Sequence, residues 1–195
     1  MQKRIVVIQA HPDRDPERFG RVLSNAYIKG AHEAGHELRM IDLALLDIPL
    51  LRSQQEWLEG DVPGNLRGAQ SDIEWAEHIV IFYPLWMGTM PALLKAFLEQ
   101  VLRPGFAFSY GGTGGFPRKQ LKGRSARIVI TMGMPALFYR GYFLAHSLKS
   151  LKRNILGLCG IGPIRTTLVG AVKSGGNPRH QKWIAKLWML GLRGR

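Results

Sequence analysis

The chain lacks most of the features that would settle its class at a glance. Its 195 residues hold one cysteine, Cys159, so an internal disulfide is excluded and a reducing compartment fits. No apolar run approaches the roughly 18–20 residues that a membrane-crossing helix needs. Nothing resembles a signal peptide: Met1-Gln-Lys-Arg4 leads into a short apolar run that stops at Gln9 and His11, and cytoplasm is the expected location. Neither G-x-G-x-x-G nor a P-loop pattern occurs, so the Rossmann fingerprint and the Walker phosphate site are not indicated. No His/Cys/Asp cluster has metal-ligand spacing, and no Ser-His-Asp set can be picked out. His32 and His36 are four apart but straddle a predicted helix end and read as surface residues. Repeats, low-complexity tracts and linkers are absent, so residues 1–195 are expected to form one domain.

Acidic residues are scarce too. Asp+Glu number 14 against 27 Lys+Arg, giving a formal charge of +13 and a sequence pI near 10.4. Such a field attracts nucleic acid, acidic lipid or anionic substrates. The basic residues are spread along the chain and no motif for reading nucleic acid accompanies them, so nucleic acid is not an expected partner. A polyanionic nicotinamide cofactor suits the charge better.

What is present gathers on residues Ile79 to Leu98. Ile79-Val-Ile-Phe-Tyr83 is a continuous apolar run, as in a strand covered on both faces of a parallel sheet. Pro84 ends it. Leu85 to Met90 forms a loop with Trp86 as an aromatic wall and Gly88 for close approach. Pro91 suits the first turn of a helix, which Leu93, Leu94, Phe97, Leu98 and Val101 continue at helical spacing. In open α/β sheets, ligands sit beyond the carboxyl ends of strands. Trp86 is therefore either a ligand wall or a residue packed on the sheet.

Four further strands are expected: Arg4–Ile8, Glu37–Asp42, Arg127–Thr131 and Arg165–Val169. Alternation with helices gives a doubly wound α/β fold. After the first strand, His11 to Phe19 forms a loop that opens a helix ending near Gly35. A helix start at a strand tip presents free N–H groups and the positive end of the macrodipole. This loop is either a phosphate grip, helped by His11, Arg14 and Arg18, or an ordinary polar turn. Residues 43–63 are long and partly apolar, suited to a contact between subunits or to packing over the chain's own sheet. Gly111 to Gly115 reads as a flexible excursion. Thr131-Met-Gly-Met-Pro135 ends the fourth strand where a third ligand loop belongs, and residues 136–156 are expected to be helical. Asn177-Pro178 opens a last helix, whose apolar stripe covers either the sheet or a membrane surface.

Tyr83-Pro-Leu-Trp86, Met90-Pro-Ala-Leu-Leu-Lys95 and Gly105-Phe-Ala-Phe108 together resemble the second flavin loop of the NAD(P)H:quinone oxidoreductases of flavodoxin-like fold. That group includes DT-diaphorase, the modulators of drug activity and the potassium-efflux ancillary proteins. The resemblance implies a five-stranded parallel sheet in the order 2-1-3-4-5 and places flavin contacts on Pro84, Leu85, Trp86, Met87 and Gly88. Ala10-His11-Pro12 is similar to the family's phosphate loop, which implies roles for His11, Arg18 and Phe19. Arg18 stands where relatives often carry serine. Thr131 and Gly133 correspond to part of the family's Thr-Gly-Gly. A tyrosine and a histidine after that loop act on the acceptor in relatives, which implies Tyr139 and His146, with Tyr142 a further candidate. The implied cofactor is FMN, with FAD the alternative. NAD(P)H is the implied co-substrate, a quinone-like molecule the acceptor, and a homodimer the assembly, with residues 43–63 at its contact. The ancillary relatives imply an alternative role as a regulatory subunit at a membrane transporter.

Overall fold

A computed structural model describes residues 1–110, 117–172 and 177–195. Five parallel strands form the main sheet: β1 (Arg4–Gln9), β2 (Glu37–Asp42), β3 (His78–Pro84), β6 (Ser125–Thr131) and β7 (Ile164–Val169). Their order is β2-β1-β3-β6-β7, the expected 2-1-3-4-5 when the sheet's strands alone are counted. The remaining two strands, β4 (Phe108–Ser109) and β5 (Arg118–Lys119), make a small antiparallel pair. The glycine-rich stretch expected as an excursion, 111–115, lies outside the described residues.

Strand periodicity explains the layers. Successive side chains point to opposite faces, so Ile5, Val7, Val80, Phe82, Val129 and Val169 meet α1 (Phe19–Glu33) and α8 (Asn177–Leu192). Val6, Ile8, Ile79, Ile81, Ile128 and Ile130 belong to the core that also holds α3 (Arg67–Trp75) and α4 (Ala92–Val101). Full burial of each such side chain contributes roughly 1.5–3 kcal/mol. The C-terminal helix therefore covers the sheet. Among the described residues, no helix is long and apolar enough to cross a membrane.

The α1–α8 contact depends on two glycines. A Cβ on Gly30 would lie 2.1 Å from the Trp188 carbonyl oxygen, and one on Gly191 would lie 2.1 Å from that of Tyr27. Neighbouring backbone leaves no room for a methyl group.

Residues 43–63 are held down by their own chain. Leu46, Ile48, Trp57 and Val62 pack on the larger core. The buried Arg103 guanidinium donates to the carbonyls of Glu56 and Gly60, which fixes the end of α2 (Gln54–Glu59). Leu45, Leu50 and Leu58 stay exposed.

The single helix expected over 136–156 is broken. It becomes α5 (Ala136–Gly141), α6 (His146–Ser150), a π-helical turn (Leu151–Leu156) and α7 (Gly157–Cys159). The break lies at Leu144 and Ala145, whose φ values of 50° and 49° are left-handed. Such a conformation costs a non-glycine residue roughly 1–2 kcal/mol. The helical spacing of apolar residues gives no warning of it.

In an exposed helix Gly→Ala stabilises by about 1 kcal/mol, but at Gly30 overpacking should win. Gly30→Ala should lose about 2 kcal/mol and lower the melting temperature by several degrees, as a thermal scan would register. His78 is buried at the start of β3, its Nδ1 on Ser125 Oγ at 2.8 Å and its Nε2 without a partner. Burial, aided by the nearby Lys3, Arg127 and Arg165, pushes its pKa down to about 3 from 6.5. Below pH 6.5 the unfolded chain takes up a proton that the folded chain refuses, so stability should fall toward pH 3 by up to ~1.4 kcal/mol per pH unit. Urea denaturation at pH 7 and pH 5 should show a smaller drop for His78→Gln than for the native chain.

Candidate functional site

The tips of β1, β3 and β6 meet through short, specific contacts. Beyond β1, the loop from His11 folds on its own carboxylates: the Asp15 amide donates to Asp13 Oδ1 and the Glu17 amide to Asp15 Oδ1, each at 2.9 Å. Arg18 bridges both acids, at 2.6 Å to Asp13 and 3.4 Å to Asp15. Its charge is already partnered, so it serves the loop before any ligand.

Arg21 does more, although its sequence position gives little sign of it. Its nearly buried guanidinium grips Asp42 at the end of β2 with two bonds, of 2.6 and 3.1 Å. It also donates to the carbonyls of Asp13 at 2.8 Å and His11 at 3.3 Å. The detectable signal was a lone arginine between Gly20 and Val22 on the inner side of an apolar helix. Gln9 helps as well, its amide nitrogen on Ser24 Oγ at 2.8 Å and its oxygen accepting from the His11 amide.

His11 itself is buried. Its Nδ1 accepts from the Asp13 amide at 3.1 Å, which leaves Nε2 to carry the proton of the neutral ring. Burial holds its pKa below the usual range; Asp13 opposes that, while Arg21 and Arg18 reinforce it. The ring is thus a neutral hydrogen-bond donor.

Helix α1 begins with no acidic residue in its first turn and no side-chain cap at Arg18. Its first N–H groups and positive dipole end suit an anion. Phe19 stacks on His180 of α8, with ring centroids 4.2 Å apart, so its side chain ties the helix start to α8. At Gly20 an added Cβ would stand 3.6 Å from Thr131 Oγ1 and 4.0 Å from the His11 ring. Anything longer would enter the space where β1, α1 and β6 converge.

The second loop is a two-residue turn. Trp86 and Thr89 exchange backbone bonds of 2.9 Å, while Met87 and Gly88 have φ values of 48° and 77°. Positive φ at both central positions is the type I′ pattern. Gly88 adopts it freely and Met87 does so under strain, with its side chain fully exposed. The turn is tied to the third loop by the Leu85 amide on the Thr131 carbonyl at 2.8 Å, directly after the pairing of Pro84 with Thr131. The half-exposed Trp86 meets the edge of His11 at 5.8 Å. Beside the turn lies a hollow of about 530 Å³, lined by Trp86, Met87, Met90, Lys95 and, from α6, Ser147 and Ser150. Its volume is that of a small-molecule site. A larger one, about 580 Å³, opens elsewhere, between α2, α4 and residues 154–159.

Of the residues expected at the site, His11, Trp86 and Thr131 converge, with Pro84, Leu85, Met87 and Gly88 beside them. Gly133 lies exposed beyond β6, with open space around it. Tyr139 is buried: its hydroxyl is 2.7 Å from Ser147 Oγ and accepts from the Leu148 amide. His146 is exposed at the start of α6. Among the described residues no group of His, Cys, Asp and Glu could hold a metal ion.

The family model for the flavodoxin-like fold matches residues 3–187. An uncharacterized NAD(P)H oxidoreductase of Haemophilus influenzae is 29% identical over 171 residues, spanning 86% of this chain and 83% of that one. An FMN-dependent NADH:quinone oxidoreductase of Shewanella amazonensis is 22% identical over 189 residues, 88% of this chain and 89% of the relative. In three dimensions, the NAD(P)H:quinone oxidoreductase from Methanothermobacter marburgensis superposes with a TM-score of 0.82 over the whole of both chains at 24% identity, a likeness of fold.

Removing the Arg21–Asp42 grip tests how the first loop is held. Arg21→Met should cost about 3 kcal/mol by leaving Asp42 unpaired. Amide hydrogen exchange should accelerate over residues 11–18 and stay unchanged in β6.

Proposed function

The chain belongs to the flavodoxin-like family, and on that footing we propose that it is a flavin-dependent NAD(P)H dehydrogenase that reduces quinones or similar flat acceptors. One observation carries the reading: three strand tips close on each other through His11 against Trp86, Gly20 against Thr131, and Leu85 on Thr131.

The residues fit a flavin mononucleotide. The uncapped start of α1, with Phe19 and Gly20, would hold its phosphate, and the missing Cβ of Gly20 keeps that cradle open. Trp86 and the Pro84–Gly88 turn would wall the ring on one side, Thr131 and Gly133 on another. A flavin bound there would supply the redox chemistry of hydride transfer from NAD(P)H to the acceptor. The chain supplies position. His11 Nε2–H offers a neutral hydrogen bond, and Arg18, balanced by Asp13 and Asp15, fixes the loop without adding free charge. Trp86 keeps water from one face of the crevice. His146, exposed at the start of α6, would be the side chain that hands a proton to an acceptor. Tyr139 acts at one remove, positioning α6 through Ser147. One crevice serving donor and acceptor in turn gives ping-pong kinetics.

The chain works in the cytoplasm, where its buried thiol Cys159 stays reduced, and as a homodimer. The dimer contact uses the exposed Leu45, Leu50 and Leu58, a set of apolar side chains that water disfavours.

Purified protein should carry flavin absorbance, and the mass of the released group should be that of FMN. Protein that stays colourless and gains no absorbance from added FMN would overturn the reading. Slow quinone turnover with a co-purifying membrane transporter would instead favour the regulatory subunit. Trp86→Ala should weaken FMN retention and quinone reduction by about tenfold, the worth of one stacking contact; unchanged titration and turnover would remove Trp86 from the site.

A further inference from the structure

The basic residues are spread along the chain, but the acidic ones are not. All 14 Asp and Glu lie within residues 1–99, with 10 of the 27 Lys and Arg; residues 100–195 carry the other 17 and no acidic side chain. The fold turns part of this into a spatial division: β6 and β7 form one side of the sheet and α5 to α7 pack beside them, whereas α8 returns over α1.

On that side the chain exposes an apolar knuckle. Leu137 is 81% exposed and Tyr142 73%, with Phe138, Phe143 and Leu144 also open to solvent. Phe138 and Tyr142 stack 5.0 Å apart, and Phe143 meets both edge-on. The left-handed Leu144 and Ala145 follow this cluster, between α5 and α6. Arg140 stands among them, and Lys149, Lys152 and Arg153 follow within three turns. Among the described residues none of these four has an ion-pair partner.

We propose that the segment from Leu137 to Arg153 docks the protein on the surface of an anionic lipid bilayer, its aromatic knuckle among the headgroups and its cations on lipid phosphates. Charge decides between occupants. A second copy docked here would face its own Arg140, Lys149, Lys152 and Arg153 across a two-fold axis, and like charges repel. An anionic bilayer complements both halves of the patch: amphipathic aromatics settle at headgroup depth, and each nearby Lys or Arg strengthens partition by about fivefold. The hollow beside Trp86 and Met87 shares Ser147 and Ser150 with α6. A docked molecule thus holds that turn close to the bilayer and to lipid-soluble acceptors. This last consequence rests on the dehydrogenase reading; the docking does not.

Co-sedimentation of the full chain with phosphatidylcholine vesicles containing one-third phosphatidylglycerol tests the docking without flavin or turnover. Binding should be at least tenfold tighter than to pure phosphatidylcholine and should fade in high salt. The combined Lys149→Gln, Lys152→Gln, Arg153→Gln variant should lose about tenfold or more. Phe138→Ser with Tyr142→Ser should also weaken binding at constant charge, with an unchanged melting curve, since both residues are exposed. No binding to the anionic vesicles overturns the proposal, as does full binding by the triple variant. Equal capture of duplex DNA with no effect of the aromatic variant would mark a plain polyanion site. A native dimer that splits on Phe138→Ser and never binds vesicles would mark an interface between copies.

Discussion

The buried grip of Arg21 on Asp42 is the interaction on which the site depends. A solvent-shielded ion pair is weak evidence for stability, because desolvating two charges offsets most of their attraction. Its value here is positional. One guanidinium engages both oxygens of Asp42 and the carbonyls of His11 and Asp13, so the tip of β1 and the end of β2 share a single planar hub. Asp42 extends the hub by accepting from the Ala44 amide, and Arg14 closes it from the other side on the Ala44 carbonyl. His11 owes its depth, and hence its neutral state, to that arrangement. Without the hub the loop would keep its carboxylate turns but lose its fixed height above the sheet.

The sheet was legible because buried parallel strands carry an unmistakable burden of β-branched and aromatic residues. Ile5 to Ile8, Ile79 to Tyr83 and Ile128 to Ile130 need both faces covered, and alternation with helical segments leaves few topologies. The failure over residues 136–156 has an equally physical cause. Apolar spacing reports which side of a helix is buried, and it says nothing about two consecutive residues forced to positive φ. Neither Leu144 nor Ala145 favours that conformation. It is imposed by the Tyr139 hydroxyl, locked on Ser147 and Leu148, and by the Ala145 amide on the Tyr139 carbonyl.

The candidate site divides along the same line. Residues that act through type and neighbours, such as His11, Trp86 and Thr131, stand out in the sequence because short motifs hold them at strand tips. Residues whose role is fixed by distant partners do not. Arg21 finds Asp42 twenty-one positions away, and Phe19 finds His180 across the whole chain. Tyrosine serves equally well as proton donor and as buried strut, so the residue type of Tyr139 does not announce its 2.7 Å contact with Ser147. Met87 shows the reverse case, a strained residue whose fully exposed side chain makes no packing demand that could explain it.

Net charge misleads when it is read as one number. At physiological ionic strength the field of an exposed cation fades over about 8 Å, so a total of +13 draws little from afar and acts where its charges lie. They do not lie at the start of α1, where Arg18 is balanced by Asp13 and Asp15 and Arg21 by Asp42. An anion there would be held by backbone N–H groups and the helix dipole, with side-chain charge nearly cancelled. Most of the cations without an acidic partner belong to residues 100–195, which build β6, β7, the helices beside them and α8. Attraction of a soluble nicotinamide cofactor therefore explains the charge poorly. A dense array of fixed anions, met at contact distance, uses it fully.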